Sequence, residues 1–167
     1  MKSSKDEPKH PTTIRPTLRR DLPALKAMID ANGLFPSEML DDMVSSFFTG
    51  GAGTEQWLTV DDGGPVAVAY YVPERMTQGT WNLLLIAVHP DRQGQGQGTA
   101  LLRHIEQALG ADGERLLLVQ TSGLESFGRT RTFYRSRGYA EEARIRDFYQ
   151  AGEDKVIFRK VLARPVA

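Results

Sequence analysis

The residues best placed for chemistry lie between Val88 and Leu102. There Val88-His89-Pro90-Asp91-Arg92-Gln93-Gly94-Gln95-Gly96-Gln97-Gly98-Thr99-Ala100-Leu101-Leu102 runs from an apolar stretch, through three alternating glycines, into a helical pattern. Glycines remove side chains, so consecutive backbone N–H groups can converge on phosphate oxygens, and the start of the following helix adds partial positive charge. Spacing narrows the ligand. A dinucleotide fingerprint needs GxGxxG/A, but counting from Gly94 and Gly96 the third place holds Thr99, and counting from Gly96 and Gly98 it holds Leu101. A P-loop needs GxxxxGK[ST], and no lysine stands between Pro90 and Leu109. Both registers fail, which leaves an anion-binding loop of another kind.

Composition removes other chemistries. The 167 residues contain no cysteine, which excludes disulfides, thiolate metal sites and a Cys nucleophile together, and fits a reducing compartment. The three histidines, His10, His89 and His104, have no HxxxH or HExxH spacing, so no His-based metal site is expected. His89 and His104 are read as structural, and neither sits in a triad-like pattern that could activate a serine. With 21 Lys+Arg against 21 Asp+Glu and a pI near 6.8, the chain lacks the basic excess of a nucleic-acid binder. The apolar run Leu83 to Val88 is far too short to span a bilayer, and neither end reads as a targeting signal. The expectation is a soluble, cytoplasmic protein with neither nucleic acid nor membrane as a partner.

These residues need a frame. At 40% hydrophobic and 25% charged, the chain is composed like one globular domain. Residues 1–12 read as a polar tail and 13–163 as the domain. A first strand is expected over Ile14 to Leu18, then a helix with Asp21 as N-cap and Pro23 in its first turn, ended by Asn32-Gly33. A second helix opens at Pro36-Ser37 and is broken by Gly50, Gly51 and Gly53. Strands over Trp57 to Val60 and Val66 to Val72 flank Asp61-Asp62-Gly63-Gly64, a hairpin signal, and a third antiparallel neighbour follows at Trp81 to Val88. The pattern then gives a helix over Gln97 to Leu109, a buried strand at Leu116 to Gln120, a helix over Phe127 to Arg137, and strands near Tyr139 to Tyr149 and Lys155 to Leu162. The order β-α-α-β-β-β-α-β-α-β-β implies an α/β fold of the α+β type, with helices on a mixed sheet.

Gln93-Gly94-Gln95-Gly96-Gln97-Gly98 resembles the [RQ]-x-x-G-x-[GA] loop of the GNAT acetyltransferase superfamily. Ala87-Val88-His89-Pro90 before it and Gly98-Thr99-Ala100-Leu101-Leu102 after it resemble that family's flanks, and Phe133-Tyr134-Arg135-Ser136-Arg137-Gly138-Tyr139 looks like its "FYxxxGF" helix end. The resemblance runs from about Thr13 to Leu162. It implies a GNAT-like fold: a mostly antiparallel sheet of about seven strands with one splayed parallel pair, flanked by about four helices. It also implies acetyl-CoA as acetyl donor with no metal, held along Ala87, Val88, Gln93, Gly94, Gln95, Gly96, Gln97, Gly98 and Thr99, with Phe133 and Tyr134 from the downstream helix.

With no cysteine for an acyl-enzyme, the implied reaction is direct attack of a primary amine on the thioester in a ternary complex. By resemblance, the Val88 N–H stabilises the oxyanion and Tyr134 protonates the leaving thiolate; the alternative for Tyr134 is a plain core residue. Some relatives carry a glutamate on the strand before the loop, where this chain has Asn82, which cannot take a proton. A base would then come from Glu38, Asp41, Asp42, Glu74, Glu125, Asp147 or a water chain. Many relatives also have a CoA-binding asparagine ahead of the tyrosine, where this chain has Glu125 to Arg131, so Gly128 and the arginines would hold the cofactor by other means. The acceptor, a small-molecule or peptide amine, is expected to meet Leu34 to Phe48, Pro73 to Gly79 and Phe148 to Lys155. A non-catalytic acyl-CoA sensor is the rival reading, kept open by Asn82. Dimers are common among relatives, and the sequence leaves a homodimer undecided.

Overall fold

Strands and helices alternate along the chain much as the periodicity predicts. The computed structural model describes residues 11–50 and 54–163; most of the expected N-terminal tail, together with Gly51 and Gly53, lies outside the described residues. The elements are β1 (Thr13–Pro16), α1 (Leu22–Asn32), α2 (Met39–Thr49), β2 (Gln56–Asp61), β3 (Pro65–Pro73), β4 (Thr80–Val88), α3 (Gln97–Ala111), β5 (Leu116–Ser122), α4 (Gly128–Arg135), β6 (Ala140–Gln150) and β7 (Glu153–Val161). Seven strands form one sheet in the order β1-β2-β3-β4-β5-β7-β6. The pairs β1–β2, β5–β7 and β6–β7 are antiparallel, whereas β4 and β5 run parallel. This is the mixed sheet with one parallel pair that the sequence implies.

The chain divides into two units, the first comprising the described residues of Met1–Gly53, Trp57–Val68 and Ala87–Leu101, the second those of Thr54–Gln56, Ala69–Ile86 and Leu102–Ala167. In the first, Leu25, Met28 and Ile29 form the buried stripe of α1, and Leu40 and Val44 that of α2. Gly33, at φ 61°, ends α1 in the left-handed conformation that favours glycine. Asp21 occupies the N-cap position of α1 as expected, yet its carboxylate makes no cap bond there. Instead it accepts from the Leu18 N–H at 2.8 Å and from Arg15 Nη1 and Nη2 at 2.7 and 2.9 Å. Burial pulls this carboxyl up, but Arg15 and the Leu18 amide override it, so its pKa lies below the usual carboxylate value. The Arg15 fork also reaches Asp61 Oδ2 at 2.7 Å, tying β1 to the end of β2.

In the second unit, Leu117 and Val119 of β5, Val156 and Phe158 of β7, and Leu102, Ile105 and Leu109 of α3 are all buried. The expected helix over Phe127 to Arg137 is shorter: Glu125–Phe127 form a single 3-10 turn and α4 stops at Arg135. Arg131 explains the break in part, because its Nη1 donates to the carbonyls of Ser122 and Leu124 at 2.8 and 2.7 Å and fixes the connection from β5. Among the described residues, no helix is long and apolar enough to cross a membrane.

Candidate active site

The glycine loop has the backbone its composition predicts at two of its three glycines. A 3-10 turn, Pro90–Arg92, follows β4, with the His89 side chain accepting from the Asp91 N–H at 3.2 Å. Gly94 and Gly96 then take φ values of 73° and 90°, a region that side chains other than glycine enter only with strain. Gly98 differs. It lies inside α3 and has no positive φ, so the backbone does not require glycine there. The Ala100 N–H donates to the Gly96 carbonyl at 2.9 Å, and the N–H groups ahead of that bond belong to the open first turn of α3.

Side chains brace the loop from within. Gln93 Nε2 donates to Asn32 Oδ1 at 2.9 Å and to the Val88 carbonyl at 3.2 Å, while Asn32 Nδ2 donates to the same carbonyl at 3.1 Å. Asn32 reads in the sequence only as part of a helix stop, yet it clamps the end of β4 to the glycine loop. Arg92 pairs with Asp62 of the β2–β3 turn, and Gln95 Nε2 donates to the Asp91 carbonyl at 3.2 Å. Gln97 Oε1 is buried and has no donor among the described residues. Expected cofactor residues Ala87, Val88 and Gln93 to Thr99 therefore form one continuous strand-to-helix connection.

In the second unit, β4 and β5 pair only from Thr80↔Leu116 to Leu83↔Val119, and β5 continues beside β7 to Ser122. The parallel strands part after Leu83, as the splayed pair requires. Leu84 is consequently 46% exposed although it lies in an interior strand of the sheet. Asn82 is 2% exposed, its Nδ2 donates to Glu74 Oε1 at 2.8 Å, and its buried Oδ1 has no donor.

Tyr134 of α4 is buried, with ring centroids 5.3 Å from Phe133 and 5.7 Å from both Tyr139 and Phe158. Burial pushes its hydroxyl well above the ordinary tyrosine pKa, so it stays protonated near neutral pH. Phe133 stacks under Arg137, whose guanidinium carbon lies 3.7 Å from the ring centroid.

The carboxylates proposed as bases fall into different settings. Asp41 pairs with Lys26 at 2.6 Å, and Asp147 accepts from the Gly152 N–H at 2.7 Å. Glu38, Asp42 and Glu125 are exposed. Glu74 alone among them is held by a buried amide side chain. No cluster of three or more His, Asp or Glu side chains suited to a metal ion occurs among the described residues.

Comparison with known proteins agrees with this architecture. A family model described as an acetyltransferase (GNAT) domain matches residues 52–141. A solved structure from Desulfovibrio desulfuricans, described as a GNAT-family acetyltransferase, shares 31% identity over 92% of this chain and 100% of its own, with a TM-score of 0.85. The ribosomal-protein-S18-alanine N-acetyltransferase of Escherichia coli superposes with a TM-score of 0.73 at 23% identity, covering 93% of this chain and 97% of its own. YncA of Salmonella typhimurium, solved with acetyl-CoA, gives 0.70 at 16% identity, covering 94% and 97%. No curated protein matches the sequence. The glycine loop, the parted parallel strands and the match over more than half of its length place this chain in the GNAT acetyltransferase family, whose acetyl donor is acetyl-CoA.

Proposed function

We propose that residues 13–163 act as one catalytic domain that moves an acetyl group from acetyl-CoA to a primary amine of a small molecule or peptide, by direct attack with both substrates bound. The observation that carries this reading is the loop from Gly94 to Gly98. Two left-handed glycines turn the chain, and a third, Gly98, which the backbone does not need, leaves one position in the first turn of α3 without a side chain. These residues fit a pyrophosphate, because the surface they offer is backbone N–H at a helix N-terminus.

When bound, acetyl-CoA supplies a thioester carbonyl open to nucleophiles. The chain's own groups do the rest. Exposed Leu84, where β4 and β5 part, offers an apolar wall that limits water. The Val88 N–H is the proposed donor to the carbonyl oxygen, its strand end held by Asn32 and Gln93. Tyr134, whose hydroxyl is protonated near neutral pH, is the proposed proton source for the departing sulfur.

The test is calorimetric titration with acetyl-CoA, free CoA, NAD and ATP, followed by release of CoA thiol in the presence of an amine panel. Because the protein has no cysteine, it adds no thiol background. Similar folds carry names that specify a ribosomal-protein alanine and spermidine as acceptors, so the panel includes an N-terminal alanine peptide and spermidine. Selective binding of the two CoA species with thiol release supports the reading. Absence of binding to either sinks it, and binding without turnover on any amine supports an acyl-CoA sensor instead.

A further inference from the structure

We infer that Glu74 and Asn82 form the ammonium-binding end of the site, with Glu74 as the base that deprotonates the acceptor amine and Asn82 as the residue that positions it. This rests on the acetyl-transfer reading above and deepens it. The starting observation is an unsatisfied atom. Asn82 is 2% exposed, and its Oδ1 is buried without a donor, an arrangement that is unfavourable unless a donor fills it. The orientation of the amide is not arbitrary. A carboxylate only accepts, so the group facing Glu74 Oε1 at 2.8 Å must be the NH₂, and the oxygen is necessarily the atom left over.

The pair therefore offers two kinds of acceptor, a carboxylate and a buried amide oxygen, with one N–H of the amide spent between them. That is complementary to a cation with several N–H donors, a primary ammonium. Glu74 forms no ion pair among the described residues, so its charge is not already neutralised. Its backbone is fixed on both sides: the Glu74 N–H donates to the Thr80 carbonyl at 2.8 Å, and the Thr77 hydroxyl donates to the Glu74 carbonyl at 2.8 Å. A carboxylate on a braced hairpin end, steered by a buried amide, is held in a fixed position, as a general base requires.

Position agrees. Asn82 pairs with Leu118, one step before the β4–β5 ladder ends at Leu83↔Val119. Alternation along β4 puts Asn82 on the same face as Leu84, the exposed apolar residue of that strand. Polar acceptors thus lie next to the point at which the strands part. The ammonium R–NH₃⁺ gives one proton to Glu74; the freed lone pair forms the N–C bond, the C–S bond breaks, and its electron pair stays on sulfur. The nitrogen loses its second proton as the amide forms. Sulfur takes up one proton, so one net proton reaches solvent.

The experiment compares the parent, Glu74→Gln and Asn82→Leu. Acetyl-CoA affinity is measured by calorimetry and should be the same in all three. Butylammonium is then titrated into protein saturated with free CoA, where Glu74→Gln should weaken binding at least tenfold. Turnover by thiol release uses n-butylamine, which is protonated near neutral pH, and 2,2,2-trifluoroethylamine, which is not. Glu74→Gln should lower turnover of butylamine about a hundredfold, the low end for loss of a general base, and that of trifluoroethylamine by much less. Asn82→Leu should show the same selective loss, smaller in size, because the carboxylate remains but is no longer steered. Equal loss on both amines, or parental butylamine turnover in Glu74→Gln, overturns the assignment. So does a parent that binds acetyl-CoA yet acetylates neither amine, whereas failure to bind acetyl-CoA at all overturns the acetyl-transfer reading itself.

Discussion

Gly98→Ala separates binding from folding at the glycine loop. Gly98 lies in α3 with no positive φ, so alanine meets no backbone strain there and should be the better helix former by about 0.5–1 kcal/mol. For a chain of this size that is a rise in Tm of roughly 1–4 °C. Gly96, at φ 90°, behaves oppositely: Gly96→Ala forces a left-handed alanine and should cost about 1–2 kcal/mol. If Gly98 is glycine because the cofactor backs onto its main chain, the added methyl should raise the Kd for acetyl-CoA about tenfold or more, near 1.4 kcal/mol, in a protein that is as stable as its parent or more so. Urea unfolding and calorimetric titration on the same preparation measure both quantities. A Gly98→Ala protein with parental acetyl-CoA affinity would refute the reasoning, since the third glycine would then serve neither the backbone nor the ligand.

Arg15→Met should cost about 2–3 kcal/mol at pH 7, because it strands Asp21, whose side chain is 3% exposed, without its cation. The folded-state pKa values of Asp21 and Asp61 lie below their usual value, so the stability these carboxylates bring is full above about pH 4 and fades as pH falls through the folded values. Urea unfolding should therefore show the parent-to-variant gap shrinking toward pH 2–3, and a gap independent of pH would contradict this. Tyr134→Phe should lower turnover while leaving acetyl-CoA affinity within about twofold, since the ring packing is preserved; unchanged turnover would remove Tyr134 from the reaction. Asn32→Leu removes both hydrogen bonds that join α1 to Val88 and Gln93 and should weaken acetyl-CoA binding several-fold; identical titrations would show that the loop needs no clamp.

Much of this protein was legible along the chain. Local rules carry local facts: stripes at Leu25, Met28 and Ile29 mark a buried helix face, Asp61 to Gly64 mark a hairpin, and the glycine spacing excludes dinucleotide and P-loop registers while resembling the GNAT loop. Asp21 shows where such rules stop, because a residue chosen as a helix cap by its type is drawn to Arg15, six residues earlier. The same holds for Asn32, which local reading treats as punctuation although it fastens Val88, fifty-six positions away.

The sequence by itself determined the kind of loop, the absence of thiol chemistry and the order of elements, because each depends on residue type or short-range spacing. Only the tertiary structure decided that Gly98 is free of backbone need, that β4 and β5 part after Leu83, and that Glu74, among several candidate carboxylates, meets a buried amide at Asn82. Those facts rest on strand register and on which polar atoms are left unpartnered when chain segments meet, and neither quantity is written in the spacing of residues along one strand.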